Sequence, residues 1–174
     1  MKKILISGLV GGVILLIWQT LSWTALDIHG EMQAYTPNQD AVMEFLGENL
    51  EEGFYYMPNV VPGSNENPME AFEGKPWAQV YYHNAYSADM GTNMARGFAV
   101  NFLAVLLLAW VLLKMDMPSF STILTASIAV GFIGYLTVTY TNSIWFETKT
   151  MGDLVDTLVS WALVGLWLGW WLRK

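Results

Sequence analysis

The segment ILISGLVGGVILLIWQTLSWTAL, residues 4–26, contains 23 residues and no charged side chain. About 20 apolar residues, each adding about 1.5 Å along an α-helix, cross the hydrocarbon core of a bilayer. Lipid offers no partners to backbone amides and carbonyls, so spanning segments are helices or strands of closed barrels. The segment lacks the alternation of polar and apolar residues that a barrel strand shows. It therefore predicts a transmembrane helix within residues 1–26.

Three further apolar runs cover residues 98–113, 120–140 and 154–172, and contain 16, 21 and 19 residues. From them we predict helices over 98–114, 120–141 and 154–172. The second run is short, and we expect it to gain length at its outer end, with Arg96 extending to the lipid headgroups. The predicted fold is an all-α membrane bundle of four helices, which occupies residues 1–26 and 98–174.

The distribution of basic residues predicts the orientation of these helices. One side of the predicted membrane carries Lys2, Lys3, Lys114, Arg173 and Lys174, whereas the other carries Lys75, Arg96 and Lys149. The positive-inside rule then places both termini and the 114–119 turn in the cytoplasm. The first run exceeds the length of a signal-peptide core, and cleavage after Ala25 would place Trp23 at the −3 position. We therefore predict a multi-pass protein with an uncleaved signal anchor.

The long connection between the first two helices, residues 27–97, is predicted to be an extracytoplasmic α+β domain. It holds 11 acidic and 2 basic side chains, a net charge of −9. Thr36, followed by Pro37 and by Gln39 three residues after Thr36, is typical of a helix start. We expect a helix over 37–50, packed on a pair of antiparallel strands over 54–57 and 77–86.

Composition excludes several kinds of function. The chain has no cysteine, so disulfides, thiolate metal sites and cysteine nucleophiles are ruled out. Its net charge of −7 argues against a nucleic-acid partner, because phosphates require a basic surface. Neither a nucleophile triad order nor a phosphate-binding or dinucleotide-binding glycine motif is present. We therefore predict a protein that is not an enzyme and binds no cofactor.

Small residues four positions apart predict the seams along which the helices pack. They are Gly8 with Gly12, Ser127 with Gly131, and Gly165 with Gly169, and Gly134 shares the face of the second pair.

Asp156 is a carboxylate inside a predicted span, which is a functional hypothesis by default because burying a charge in lipid is costly. It shares a helix face with Asp153, Thr157 and Ser160. The structural alternative is that Asp153 caps the helix and Asp156 lies at its third position, where a carboxylate favours the helix dipole. Arg96 or Lys149 would neutralise it. Asn101 is a lone amide in the second span, for which we expect a hydrogen bond to a neighbouring helix.

The two histidines, His29 and His83, have two interpretations. With nearby carboxylates they could form a Zn²⁺ or Cu²⁺ site, but no HxH, HxxxH or HExxH spacing supports it. Otherwise each is a hydrogen-bonding residue at an interface. His29 would share a face with Trp18 and Ser22 if the first helix extended that far.

The predicted strands are rich in aromatic residues. Such residues form either a small core with a belt at the lipid headgroups or a surface for a lipid or protein partner. The candidates for that surface are Tyr55, Tyr56, Trp77, Tyr81, Tyr82 and Tyr86, with Phe54 in the same cluster.

Short motifs stand near the ends of the predicted elements: Trp18, Ser22-Trp23 and His29; Asp40-Ala41-Val42; Gly53, Tyr55 and Pro58; Trp145-Phe146; and Asp153, Asp156, Trp161 and Gly165. This pattern is similar to that of a group of uncharacterised bacterial inner-membrane proteins with four predicted helices, over most of the chain. The resemblance implies a location in the bacterial cytoplasmic membrane and supplies no activity.

Three functional hypotheses follow. The first is a non-catalytic accessory protein of the cell envelope, whose outer domain contacts a protein partner in the membrane or periplasm, or lipid. The second is a small homo-oligomeric transporter or channel that uses Asp156 and Asn101. The third is a metal-binding membrane protein that uses His29 and His83.

Overall fold

The computed structural model describes residues 1–116 and 118–174, and the chain is mostly helical with a small two-stranded sheet. Within the described residues, four helices are long and apolar enough to cross a membrane, as the composition predicts. They are Lys2–Thr24, Met90–Leu112, Phe120–Phe146 and Met151–Trp171. These four helices indicate a multi-pass membrane protein. Met117, in the predicted cytoplasmic turn, lies outside the described residues.

The elements are numbered in chain order. The helices are α1 (Lys2–Thr24), α2 (Gln39–Asn49), α3 (Pro68–Phe72), α4 (Met90–Leu112), α5 (Phe120–Gly134), α6 (Thr141–Phe146) and α7 (Met151–Trp171). The strands are β1 (Gly53–Met57) and β2 (Ala78–Tyr82), and a short 3₁₀ helix covers Gly30–Met32. A π-helix, Tyr135–Tyr140, joins α5 to α6 and was not predicted. There Thr141 donates its hydroxyl to the carbonyl of Leu136, five residues earlier, at 2.8 Å.

The amino-terminal ends of α4 and α2 both differ from the predicted starts at residues 98 and 37. α4 begins at Met90, well before the apolar run, because Asp89 caps it and accepts a hydrogen bond from the Thr92 amide at 3.1 Å. The Thr92 hydroxyl and amide hold the pKa of the Asp89 carboxyl below its usual value. The predicted start of α2 at Pro37, with Thr36 as its cap, is wrong, since α2 begins at Gln39 after Asn38. The Thr36 hydroxyl instead accepts from the Asn38 amide.

Helices α1 and α7 run antiparallel. Lys3 Nζ donates to the Leu172 carbonyl at 3.3 Å, and Trp171 Nε1 donates to the Lys3 carbonyl at 3.2 Å. At the opposite end, Ser22 of α1 contacts Asp156 of α7. The first and last residues of the chain therefore lie at the same end of the helices.

The small residues lie where helices meet, α1 against α4 and α5 against α7. A Cβ on Gly12 would lie 3.0 Å from the Phe102 backbone, and one on Gly8 would lie 3.0 Å from the Phe102 carbonyl oxygen. On the other pair, Gly165 faces Ser127 and Leu124 in the same way. Further close approaches place Gly11 on Val105, Gly131 on Trp161 and Gly169 on Phe120. Gly134, by contrast, has no described heavy atom within 4 Å of a built Cβ, so it does not belong to the seam.

The apolar core lies between α1, α4, α5 and α7. Its buried members are Leu15, Val105, Leu108, Ala109, Leu112, Ile123, Val164, Leu168 and Leu172.

Residues 35–88 form a second compact unit that contains α2, α3 and the sheet. β1 and β2 pair antiparallel with Gly53 opposite Tyr82 and Met57 opposite Ala78, which confirms the predicted pairing. β2 ends at Tyr82 and is shorter than the predicted strand over 77–86. α2 approaches the sheet through Gly47, since a Cβ there would lie 3.1 Å from the Tyr82 hydroxyl.

Candidate functional site

The candidate site lies at the end of α1 and the start of α7, and its centre is the Asp156 carboxylate. Trp18 and Ser22 stand four residues apart on α1, so their side chains project from the same face. Trp18 Nε1 donates to Oδ1 of Asp156 at 3.1 Å, and the Ser22 hydroxyl donates to Oδ2 at 2.8 Å. Nε2 of His29 lies 2.9 Å from the same Oδ2. Three partners from one segment of the chain therefore converge on one carboxylate.

A turn after α1 brings His29 back to this carboxylate. Asp27 adopts a left-handed backbone conformation with a φ of 47°, which ends the helical direction of the chain. The imidazole is 4% exposed and stacks on Trp23, with ring centroids 4.0 Å apart and an interplanar angle of 7°. Its Nδ1 lies 3.2 Å from Sδ of Met32. The ring is thus held on both edges and on one face.

Gly152, in the first turn of α7, is required for this arrangement. A Cβ at that position would lie 2.9 Å from Nδ1 of His29 and 2.9 Å from the carbonyl oxygen of Ile28. Glycine therefore lets α7 pack directly against the loop that carries the histidine. The sequence shows the glycine, but only the structure shows that His29 and Ile28 pack against it.

The predicted capping role of Asp153 and Asp156 is wrong. α7 begins at Met151 after Thr150, so Asp153 is the third residue of the helix and Asp156 the sixth. The Asp156 side chain contacts α1 and the following loop rather than the amides of its own first turn.

The electrostatic partner of Asp156 is also not the one predicted. His29 takes the place that we expected for Arg96 or Lys149. Lys149 instead lies 3.9 Å from the Glu31 carboxylate in an exposed pair. Arg96 makes no ion pair with any residue in the described ranges, 1–116 and 118–174. Surface pairs such as Lys149–Glu31 contribute little to stability.

Further polar side chains lie along the helices beyond Asp156. The Asn101 amide, buried on α4, donates to Oε1 of Gln19 at 2.8 Å, which is the hydrogen bond to a neighbouring helix that the sequence predicts. Ser160 is buried one turn after Asp156 and donates to the Thr157 carbonyl at 3.3 Å. A cavity of about 380 Å³ adjoins these residues, and its lining is Trp18, Gln19, Trp23, Asp156, Thr157, Ser160 and Trp161.

The order of these groups differs from that of a nucleophile triad. In a nucleophile triad the histidine lies between the serine and the carboxylate. Here the carboxylate lies between them, because Ser22 and His29 both contact Oδ2 of Asp156. The Ser22 hydroxyl donates to the carboxylate at 2.8 Å or to the Gln19 carbonyl at 3.3 Å, and His29 is not its acceptor.

The second histidine belongs to the other compact unit of the chain. His83 is an exposed residue of the 35–88 unit, whereas His29 belongs to the helical unit. Throughout the part of the chain that the structure describes, no three His, Cys, Asp or Glu residues are grouped so that they could hold a metal ion.

The strands sort the aromatic side chains onto two faces. Phe54, Tyr56 and Tyr81 are on one face with Trp77, and all four are exposed. Tyr55 and Tyr82 alternate to the other face, where Tyr82 is 8% exposed and its hydroxyl lies near α2. Tyr86 follows β2 and is 94% exposed.

Comparison of the chain with family models, curated proteins and solved structures finds no match in any of the three. The resemblance to bacterial inner-membrane proteins with four helices therefore stays a prediction.

Proposed function

We propose that this chain is a non-catalytic accessory protein of the bacterial inner membrane, whose 35–88 unit binds a protein partner outside the cytoplasm. In this proposal the four spans form a bundle with both termini in the cytoplasm. The observation that carries the proposal is the exposed aromatic face of the sheet, defined by Phe54, Tyr56, Trp77 and Tyr81.

The aromatic face consists of two ring pairs across the strands. The Phe54 and Tyr81 centroids are 4.5 Å apart, and those of Tyr56 and Trp77 are 5.7 Å apart. On this face Phe54 is 52% exposed and Tyr81 is 70% exposed, whereas Tyr55 and Tyr82 on the other face are more buried. Adjacent exposed aromatic residues, tyrosine and tryptophan above all, are characteristic of protein interfaces and their energetic hot spots.

The charge of the unit indicates the chemistry of the partner. Residues 35–88 contain 8 acidic side chains and 1 basic side chain, a net charge of −7. An anionic membrane surface repels such a unit, whereas a basic protein surface attracts it. Arginine side chains of a partner would stack on the exposed rings as well as pair with the carboxylates. The proposal therefore commits to a protein with a basic surface.

Site-specific photocrosslinking in native membranes tests this proposal. A photoreactive residue at Tyr81 is expected to capture one protein, and the same residue at Val61, an exposed loop position at 74%, is the matched control. The captured protein is then purified and titrated with the full chain. Tyr81→Ala is expected to weaken binding by at least about tenfold, as for a hot-spot residue. Val61→Ala is expected to leave it unchanged, and added salt to weaken it.

Capture of lipid alone, or equal affinity of the two variants, would contradict the proposal.

Orientation has a separate test. Reporter fusions after residues 60 and 118 are expected to be active outside and inside the cytoplasm, respectively. The transporter hypothesis predicts that Asp156→Asn abolishes ion or solute flux in liposomes, and the metal hypothesis predicts stoichiometric metal in the purified protein.

A further inference from the structure

The cavity between α1 and α7 has walls suited to an organic cation. Three of its lining residues are tryptophans, Trp18 and Trp23 from α1 and Trp161 from α7. The Asp156 carboxylate also lines the cavity. Indole rings attract cations through the negative charge on their faces, and aromatic cages of this kind recognise substituted ammonium groups. The volume, about 380 Å³, is within the range of small-ligand sites.

Asp156 is the acidic residue in the lining of the cavity. Among residues 1–116 and 118–174, His29 is the only basic group that pairs with it. Lys149 does not contact Asp156, because it lies 3.9 Å from Glu31 in an exposed pair. A cationic ligand in the cavity would therefore meet the Asp156 carboxylate.

The lining also distinguishes an ammonium group from a metal ion. Ca²⁺ and Mg²⁺ require about six oxygen ligands, and Zn²⁺ about four nitrogen, sulfur or oxygen ligands. The cavity provides one carboxylate, and its largest walls are indoles, which cannot ligate a metal. An ammonium group needs only one or two acceptors together with ring faces. A carboxylate accepts about four hydrogen bonds, and Asp156 has three partners.

We propose that this cavity binds the ammonium group of an organic cation, with Asp156 as its counter-ion and Trp18, Trp23 and Trp161 as its walls. The ammonium group has two possible sources, the headgroup of an aminophospholipid and a free amine. Gln19 and Trp23 are exposed, so the cavity opens at the surface of the helical unit, where either source can enter. This inference is independent of the partner proposed for residues 35–88.

Native mass spectrometry of the full chain in detergent micelles is the experiment. The probes are phosphatidylethanolamine and phosphatidylglycerol with identical acyl chains, since only the first carries an ammonium group. Phosphatidylethanolamine is expected to bind at least about tenfold more tightly, a factor equivalent to about 1.4 kcal/mol. Asp156→Asn is expected to abolish that preference. Glu147→Gln, which removes an exposed carboxylate from the loop before α7, is the matched control and is expected to retain it.

Ethanolamine added as a competitor separates the two sources. Displacement of the lipid at comparable concentrations assigns the site to free amines, and no displacement assigns it to the lipid headgroup. Equal affinity for the two lipids overturns the proposal, as does a preference that survives in Asp156→Asn. If that variant does not fold, Trp23→Leu replaces it, because Trp23 is 53% exposed and lies outside the core. Its expected effect is an affinity about threefold lower, in keeping with one cation–π contact, and an unchanged affinity overturns the proposal.

Discussion

Replacing Asp156 by alanine is expected to destabilise the helical unit by about 3 kcal/mol. The substitution removes the acceptor of three groups, at 3.1 Å for Trp18, 2.8 Å for Ser22 and 2.9 Å for His29. Hydrogen bonds to charged groups contribute about 1.5–3 kcal/mol each in soluble proteins, and side-chain hydrogen bonds between membrane helices average about 0.6 kcal/mol. Three contacts at the membrane average total about 2 kcal/mol, and three at the lower of the soluble-protein values total about 5 kcal/mol; we take these as the bounds because energies of neighbouring contacts are not additive.

Burial of the partners sets the value within that range. Ser22 is 0% exposed and His29 4% exposed, so water does not readily replace the carboxylate at either group. Trp18 is only half-buried and can find another acceptor near the interface. The Ser22 hydroxyl keeps a longer contact to the Gln19 carbonyl at 3.3 Å, so the loss falls mainly on the buried imidazole and in part on Ser22, which gives a total of about 3 kcal/mol.

Equilibrium unfolding of the full chain in mixed micelles, titrated with sodium dodecyl sulfate and followed by tryptophan fluorescence, measures this free energy. Asp153→Ala is the matched control, because Asp153 lies one turn away and accepts no hydrogen bond from the described residues. It is expected to change stability by no more than about 0.5 kcal/mol. A difference between the two variants of less than about 1 kcal/mol would refute the assignment of Asp156 as the tie between α1 and α7.

Two further predictions concern α4. Gly12→Leu is expected to separate α1 from α4 and lower stability by about 1–3 kcal/mol, because its side chain would meet the Phe102 backbone, whereas Gly134→Leu is expected to be tolerated; the same unfolding titration measures both. Asp89→Ala is expected to speed amide exchange at Thr92, as a cap is lost. Since the folded pKa of Asp89 is lowered, its stabilisation is present above the ordinary aspartate pKa and disappears as the pH falls through the folded pKa, so the difference between variant and wild type should vanish in acid. A difference in exchange that is independent of pH would contradict this interpretation.

The long elements were predictable because their signals are local. The apolar run at 4–26 became α1, Lys2–Thr24, and the antiparallel pairing of β1 and β2 followed from their aromatic content and the intervening loop. The start of α2 was not predictable. Thr36 and Asn38 are both residue types that favour the cap position, and the choice between them depends on the surrounding chain. The π-helix before α6 also has no distinct composition.

The candidate site was predictable only as a list of residue types. A carboxylate inside an apolar run marked Asp156, and a shared helical spacing related Trp18 to Ser22. His29 was not assigned to Asp156, because α1 ends at Thr24 and the turn at Asp27 returns the imidazole by another route. The sequence favoured Arg96 or Lys149 as the partner of Asp156, since both are positively charged and are predicted on the same side of the membrane as Asp156.

The amino-acid pattern alone establishes which segments can span a bilayer and that most of the acidic residues lie between them. The reason is that the free-energy cost of dehydrating backbone and charge depends on each segment by itself. Folding in three dimensions establishes which groups meet. His29 and Asp156 are 127 residues apart in the chain, and Gly152 admits the histidine only because α7 packs beside the end of α1. Such contacts depend on the pairing of helices, which no local pattern encodes.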